Sequence, residues 1–415
     1  MGGFSCRFCG APLTETVADL GLSPPANAYV PLEKAHLPEA FYPLHVYVCG
    51  SCFLVQLPEV LRPEEIFSDY AYFSSYSRTW LEHARNYVES MIDRFGFDAG
   101  SQVVEVASND GYLLRFFRDR GVPVLGIEPA ANVAHAAQEA GIPTRVCFFG
   151  EDTARRLVAE GARADLLLGN NVLAHVPDLN GFVAGLKVLL AEHGVLTMEF
   201  PHLMRLIDGN EFDTIYHEHY SYLALGAVRR VFEHHGLELF DVEELRTHGG
   251  SLRVYARHAG EDAAGDSVAG RQRVAELLAR EDAFGLADLS TYRAFGDRVR
   301  ATKRKLLSFL VDAKAEGKRI VGYGAPAKGN TLLNYCGIGH DFLDYTVDLS
   351  PHKQGHLLPG TRIPIHPPER IFETRPHFIL ILPWNLKDEI VEQLAGVREW
   401  GGRFVVAIPE VQVLA

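Results

Sequence analysis

Apolar and polar positions along this chain switch between a strand period and a helix period. Gln102-Val-Val-Glu105-Val opens as an apolar run, turns through Ser108-Asn109-Asp110-Gly111, and resumes at helical spacing near Tyr112. Val124-Leu-Gly126-Ile-Glu128 repeats the pattern, and 165–168 and 195–200 follow with helical stretches between them. Strands alternating with helices predict a parallel sheet. Two further runs, 237–245 and 252–257, joined across Gly249-Gly250, predict an antiparallel pair finishing that sheet. Ahead of it, Trp80, Ala84, Val88, Met91 and Phe95 recur as on one face of a helix; behind it, Tyr292, Phe295, Val299, Leu306 and Leu310 mark a helical bridge. The opening pattern then returns in Ile320-Val-Gly322-Tyr-Gly324, Thr346-Val-Asp348 and 378–382, a second Rossmann-like half. The expected partition of this α/β chain is 1–65, 66–258 with the central Rossmann-like domain, 259–317 as a bridge, and 318–415.

Composition narrows the class. The 415 residues are 47% hydrophobic and 22% charged, typical of a soluble enzyme of two or three domains. A net charge of −13 argues against nucleic-acid or anionic-membrane partners. No basic segment with an apolar core opens the chain, and no apolar run nears 18 residues. The expectation is a cytoplasmic enzyme, monomeric and acting on a small molecule.

Four of the six cysteines form Cys6-Arg-Phe-Cys9 and Cys49-Gly-Ser-Cys52. Two such knuckles supply four thiolates for a tetrahedral zinc, and four sulfurs leave no open position, so the metal is structural. Cys147 and Cys336 read as apolar filler.

The chemistry at 105–111 suits a nucleoside ligand. Amides at a helix start bind polar groups, and Gly111 lets a ligand come close. Glu128, about twenty residues on, ends the second strand, where an acid holds ribose hydroxyls. The turn has no G-x-G-x-x-G, and Ala107 stands where a first glycine belongs. A pyrophosphate therefore has no seat, which favours S-adenosylmethionine (SAM) over NAD; an ordinary βα turn with stray acids is the bland alternative. Ligands of such sheets lie at the carboxyl ends of strands, so Glu105, Ala107, Asn109, Asp110, Gly111, Glu128, Pro129, Phe149, Asn170 and Asn171 are the donor-site candidates. Tyr70 and Ser75 belong to a tyrosine- and hydroxyl-rich stretch that either packs the following helix or roofs this site.

Two more loops are dense in polar groups. One is Asn170-Asn171-Val-Leu-Ala-His175, where a transferase meets donor and acceptor. The other is Tyr216-His217-Glu218-His219-Tyr220-Ser221-Tyr222. Its His-Glu-His spacing is not that of a helical metal site. On a helix, Tyr216, His219 and Tyr222 would share one face, an imidazole beside phenols suited to proton abstraction. In the C-terminal half, Gly322-Tyr-Gly324 with Lys328 reads as a phosphate cradle, with Asn330 and a basic loop at Lys353 nearby. Binding the diphosphate of a nucleotide-linked substrate, binding NAD, and a purely structural half all remain open there.

These motifs together carry a resemblance. Over essentially its whole length the chain resembles the sugar C-methyltransferases that act on nucleotide-linked 4-keto deoxysugars. The features that match are the paired Cys-x-x-Cys module, Glu105 to Gly111, Tyr216-His-Glu-His219, His248-Gly-Gly-Ser251 and Gly322-Tyr-Gly-Ala-x-x-Lys328. The resemblance implies an N-terminal zinc-binding module, a central SAM-binding domain and a Rossmann-like C-terminal domain. It implies His219 as the base, with Tyr216, Glu218 and His175 around the reacting sugar and Tyr70 near the donor. Tyr222, His248, Lys328, Asn330 and Lys353 complete the expected substrate contacts. The implied reaction removes the proton beside the ketone, at carbon 3, and methylates the enolate. An O- or N-methyltransferase on a similar sugar and an NAD-dependent nucleotide-sugar epimerase or reductase are the rival readings.

Overall fold

Val103-Val-Glu-Val106 is buried on both faces and lies inside a seven-stranded sheet, next to its central strand. The computed structural model describes residues 3–67, 73–260 and 267–414, with the backbone alone described at His248. Among these, the chain folds as two units of interleaved segments. The first takes residues up to Leu13, Cys49–Leu203 and Tyr220–Ala287; the second takes Thr14–Val48, Met204–His219 and the chain from Asp288 onward.

The first unit holds β1 (Val103–Val106), β2 (Val124–Glu128), β3 (Thr144–Val146), β4 (Ala164–Asn170), β5 (Leu190–Pro201), β6 (Leu237–Leu245) and β7 (Ser251–His258). Their order across the sheet is β6-β7-β5-β4-β1-β2-β3. β1 to β5 run parallel, and β7 pairs antiparallel with both β5 and β6, as the glycine-joined pair predicts. β3 is absent from the sequence reading: Thr144-Arg-Val146 is short, and two of its three residues face solvent. The helix carrying Trp80 runs Arg78–Phe95, started by the Ser77 hydroxyl accepting from the Trp80 amide and stopped at left-handed Gly96. It buries Ala84, Tyr87, Val88 and Met91 against the sheet core of Val103, Phe117, Leu166 and Tyr255.

In the second unit, β8 (Ile320–Tyr323), β9 (Thr346–Val347), β10 (Ile365–His366), β11 (Phe378–Ile381), β12 (Arg403–Val406) and β13 (Gln412–Leu414) form a sheet ordered β10-β9-β8-β11-β12-β13. All but β13 run parallel, which is the expected Rossmann-like half. Earlier residues complete this unit. Glu15–Ser23 pairs with Tyr42–Val48 and packs on the helix Leu289–Ala315; Gly296 is needed there because a Cβ would stand 2.8 Å from the Val17 carbonyl. Tyr292, Phe295, Val299, Leu306 and Leu310 are the buried stripe of that helix. Val30–Pro31 pairs with His356–Leu357, which ties the loop before it to the C-terminal strands.

No helix among the described residues is long and apolar enough to cross a membrane.

Candidate active site

In the first unit, the two knuckles converge. Cys6 Sγ lies 3.6 Å from Cys52 Sγ and Cys9 Sγ 3.5 Å from Cys49 Sγ, and all four sulfurs fall within 4.8 Å of one another. Disulfides need about 2.05 Å, whereas thiolates about 2.3 Å from a tetrahedral centre stand roughly 3.8 Å apart, so the set fits zinc. The Gln56 amide and the Ser51 N–H donate to Cys6 and Cys49, as expected around thiolates. The two knuckles fold alike. Gly10 N donates to Cys6 O and Phe53 N to Cys49 O, with both Gly10 and Phe53 left-handed. Arg7, between the first two ligands, donates to the Pro177 carbonyl at 2.8 Å, while the Asn180 side chain donates to the carbonyls of Arg7 and Phe8. The zinc module is thereby fastened to the loop that carries His175.

The donor turn is built as expected but with different internal partners. Ala107 does take the left-handed conformation that its position demands, with φ 58°, and Asn109 follows at 49°. Gly111 is also left-handed, yet its missing Cβ makes room for Ile142, 2.8 Å away, rather than for a ligand. The helix then starts at Leu114. Glu128 at the tip of β2 accepts from the amides of Asn109 and Ala130, both at 2.9 Å. Ser74 and Ser75 offer their amides to Asn109 Oδ1 and Asp110 Oδ2, so the Ser75 segment caps the turn as a roof. Asn170 at the end of β4 donates to the Tyr112 hydroxyl, and Asn171 is left-handed with its amide on Glu199 O. Phe149 packs edge-on against Phe182, and Pro129 is half-buried beside Glu128. Tyr70 lies outside the described residues.

Three acids crowd this turn. Burial pushes Glu105 well above the carboxylate range, and the charges of Glu128 and Asp110 push it further. Neither Glu105 oxygen has a partner of normal geometry, nor does Asp110 Oδ1. Burial raises Glu128 too, against its two amide donors. A pyrophosphate would add charge of the same sign, whereas SAM brings a sulfonium and an ammonium. Glu128 can offer its carboxylate to the ribose, with Asn109, Asp110 and Asn170 around it.

One cluster here escaped the sequence reading. Fully buried Glu199 on β5 accepts from His83 at 2.9 Å, Arg253 at 2.8 Å and Thr247 at 3.2 Å. Burial opposes its charge, but His83 and Arg253 hold it below the ordinary range. Its members are far apart in sequence, and no local pattern marks them.

The second unit holds Tyr216, Glu218, His219, Lys328, Asn330 and Lys353, while Tyr222 and His248 belong to the first. The Tyr216–His219 segment is a turn, not a helix: His219 N donates to Tyr216 O at 2.9 Å, and the two rings lie 4.1 Å apart. The i, i+3 pair survives, because a turn brings these positions together as a helix does. Tyr222 does not share their face; it sits in the strand Ser221–Tyr222, paired with Val55–Gln56 in the first unit. His219 Nδ1 faces Thr214 O at 3.0 Å; a carbonyl only accepts, so Nδ1 carries a proton. His217 is 2% exposed, gives Nε2–H to Pro43 O, and is pushed down by burial. Glu218 accepts from Asn27 at 2.6 Å, Asn330 donates to Ala26 O at 2.6 Å, and Tyr29 donates to Ala325 O. A loop the sequence left unassigned is thus bonded to both expected substrate segments.

The expected phosphate cradle is filled by the protein itself. Gly324 has φ +88°, and a Cβ would meet Pro383 at 2.5 Å. The Ala325 amide is taken by Asp348 Oδ2 at 2.7 Å. Lys328 donates to Asn385 Oδ1, lies over the Trp384 ring at 4.5 Å, and feels the acids Asp213 and Glu211. A phosphate would have to compete with these carboxylates. Lys353, the other basic group at the turn, donates to Ala325 O at 2.9 Å and is ion-paired with Asp348 at 3.8 Å. His248 lies in the turn Thr247–Gly249, and only its backbone is described.

A sheet in this order, an acid-ended second strand and a donor turn suited to a cation define a SAM-dependent methyltransferase, here with a structural zinc in an N-terminal module. Residues 6–67 match a putative zinc binding domain, 80–242 a methyltransferase domain, and 246–409 a C-methyltransferase C-terminal domain. The chain is 39% identical over 413 residues to C-methyltransferase NovU of Streptomyces niveus, covering 99% of this chain and 96% of that protein. It therefore belongs to the C-methyltransferase family that includes NovU. It is also similar to an uncharacterised methyltransferase of Mycobacterium leprae, at 35% identity over 19% of this chain and 29% of that one. A solved SAM-dependent methyltransferase from Clostridium acetobutylicum is 13% identical, covering 43% of this chain and 91% of its own, with a TM-score of 0.35.

Proposed function

We propose that the chain methylates carbon 3 of a nucleotide-linked 4-keto deoxysugar. The observation that carries this reading is the His219 imidazole, whose Nδ1–H is held by Thr214 O, which leaves Nε2 as the nitrogen assigned to the base, with the Tyr216 ring tilted against it at 4.1 Å and Glu218 next in the chain. SAM supplies an electrophilic methyl group to the nucleophilic carbon. The ketone at carbon 4 acidifies the hydrogen on carbon 3, and His219 Nε2 removes it to leave an enolate. Tyr216 or His175 donates a hydrogen bond to the developing oxyanion. The C–H bond is replaced by a C–CH3 bond as the S–CH3 bond breaks and S-adenosylhomocysteine leaves, the ketone is restored, and the imidazolium loses its proton to solvent. Asn330 and Lys353, in the same unit as His219, are assigned to the nucleotide part.

Incubation with SAM and a panel of 4-keto nucleotide sugars, followed by mass spectrometry of the product, tests the substrate class. With S-adenosylhomocysteine in place of SAM, wild type should exchange the ring hydrogen with deuterium from solvent, and His219→Ala should not. Turnover of the variant should fall by at least the ~10²–10⁴-fold expected for a lost acid–base group. An O- or N-methyltransferase would show no exchange in either protein, and a tightly bound nicotinamide would favour the epimerase or reductase reading. Near-normal turnover by His219→Ala would make His175 the next candidate for the base.

A further inference from the structure

We propose that Asp213 is a positioning residue for His219: its buried carboxylate, anchored by Trp384, locks the turn whose Thr214 carbonyl selects the imidazole tautomer. The proposal rests on the reading of His219 as the base.

Asp213 is the middle residue of the 3-10 turn Phe212–Thr214 and is 0% exposed. Oδ2 accepts from the Trp384 indole N–H at 2.8 Å. Oδ1 is buried without a partner of normal geometry, while the amides of Asp213 and Thr214 face the carboxylate. A buried acid left this way is expensive to keep, so its environment has to compensate. Lys328 is the cation that does so, with its charge acting on Asp213 and Glu211 together.

The turn that Asp213 anchors is fixed on all sides. Thr214 N donates to Glu211 O and Ile215 N to Phe212 O, which sets the Thr214–Ile215 peptide plane. The Thr214 carbonyl, on the opposite edge of that plane, is the acceptor for His219 Nδ1–H. From the helix Ala327–Cys336, Thr331 Oγ1 donates to Ile215 O at 2.9 Å. Thr331 thus holds the turn at its exit, while Lys328, three residues away on the same helix face, donates to Asn385 and acts on Asp213 through its charge.

If the carbonyl rotates away, the imidazole loses the bond that keeps the proton on Nδ1, and Nε2 is protonated part of the time. A base with its proton on the wrong nitrogen binds substrate normally and reacts slowly. The effect should therefore fall on kcat rather than KM.

The test is long-range ¹H–¹⁵N NMR of histidine-labelled, zinc-loaded full-length protein, with the His219 ring assigned by its absence in His219→Ala. Wild type should show the Nδ1–H tautomer. Asp213→Asn, which keeps the shape and removes the charge, should move both ring nitrogens toward a tautomer mixture. It should also lower kcat by about 10- to 100-fold with KM for the nucleotide sugar within about threefold. Trp384→Phe, which removes the anchoring N–H while keeping an aromatic ring, should give the same change to a smaller degree and serves if Asp213→Asn does not fold. Wild-type ring shifts in a folded, SAM-binding Asp213→Asn or Trp384→Phe protein would overturn the proposal while leaving His219 as base. Near-normal turnover by His219→Ala would overturn the base reading itself, whatever the Asp213 variants show.

Discussion

Glu128 Oε2 accepts from the Asn109 amide at 2.9 Å, so the acid ending the second strand clamps the turn that follows the first. Asp348 and the Ala325 amide repeat the relationship at 2.7 Å in the other Rossmann-like half. Glu128→Ala should then do two things at once. It should weaken SAM by ~2–4 kcal/mol, a lost hydrogen bond to a charged group and the groups left behind, and it should lower the melting temperature of the ligand-free protein. Calorimetry and thermal unfolding check the pair; unchanged SAM affinity would move the ribose site elsewhere.

Ala107 sits at φ 58° in the donor turn. A left-handed alanine is strained by about 1–2 kcal/mol, and the extra freedom of glycine in the unfolded chain returns part of that. Ala107→Gly should stabilise the protein by about 0.5–1 kcal/mol in urea unfolding. A lower midpoint would show that the Cβ packs usefully.

Burial pushes Glu211 up to about 8, with Asp213 adding to the rise and Lys328 opposing it. The fold thus prefers the neutral acid. Its contribution is full below the ordinary range of a glutamate and is lost as pH rises through about 8. Glu211→Gln should flatten the fall in melting temperature between acid and alkaline pH and should be the more stable protein at the alkaline end. The gain is on the order of a few kcal/mol at most. Parallel curves for the two proteins would contradict the assignment.

Purified protein should carry about one zinc per chain, and Cys49→Ser should lower that content and the melting temperature. Because Arg7 and Phe8 bond Pro177 and Asn180, stripping the metal should also speed hydrogen exchange across 174–180. Protein without zinc, or unchanged exchange in that loop, would break the argument.

The strands β1, β2, β4 and β5 were readable as apolar runs, and the Arg78–Phe95 helix from the period of its buried face. The cysteine spacing was equally direct. Long-range polar pairing was not readable, because nothing local encodes it. Trp384 is 171 residues from Asp213, and Asn27 is 191 from Glu218. The surroundings of Lys328 were unreadable for a related reason: a glycine turn with a lysine looks the same in sequence whether or not the protein's own Asp348, Asp213 and Glu211 lie near it. Tyr216 and His219 were paired correctly by spacing, while Tyr222 was lost to a strand that spacing alone could not foresee.

The interleaving of the two units bears on how the chain is made. Val17 packs on Gly296, so its unit stays incomplete until the ribosome has added the residues between them. At about 5–20 residues per second that wait is roughly a quarter of a minute to a minute, with an early strand unpaired against its helix. The same threading means that no single cut yields either unit whole, because each borrows segments from both sides of the other. Fragments ending at the linear boundaries should expose strand edges and aggregate, and the enzyme is best thought of as one inseparable folding transaction rather than as modules on a string.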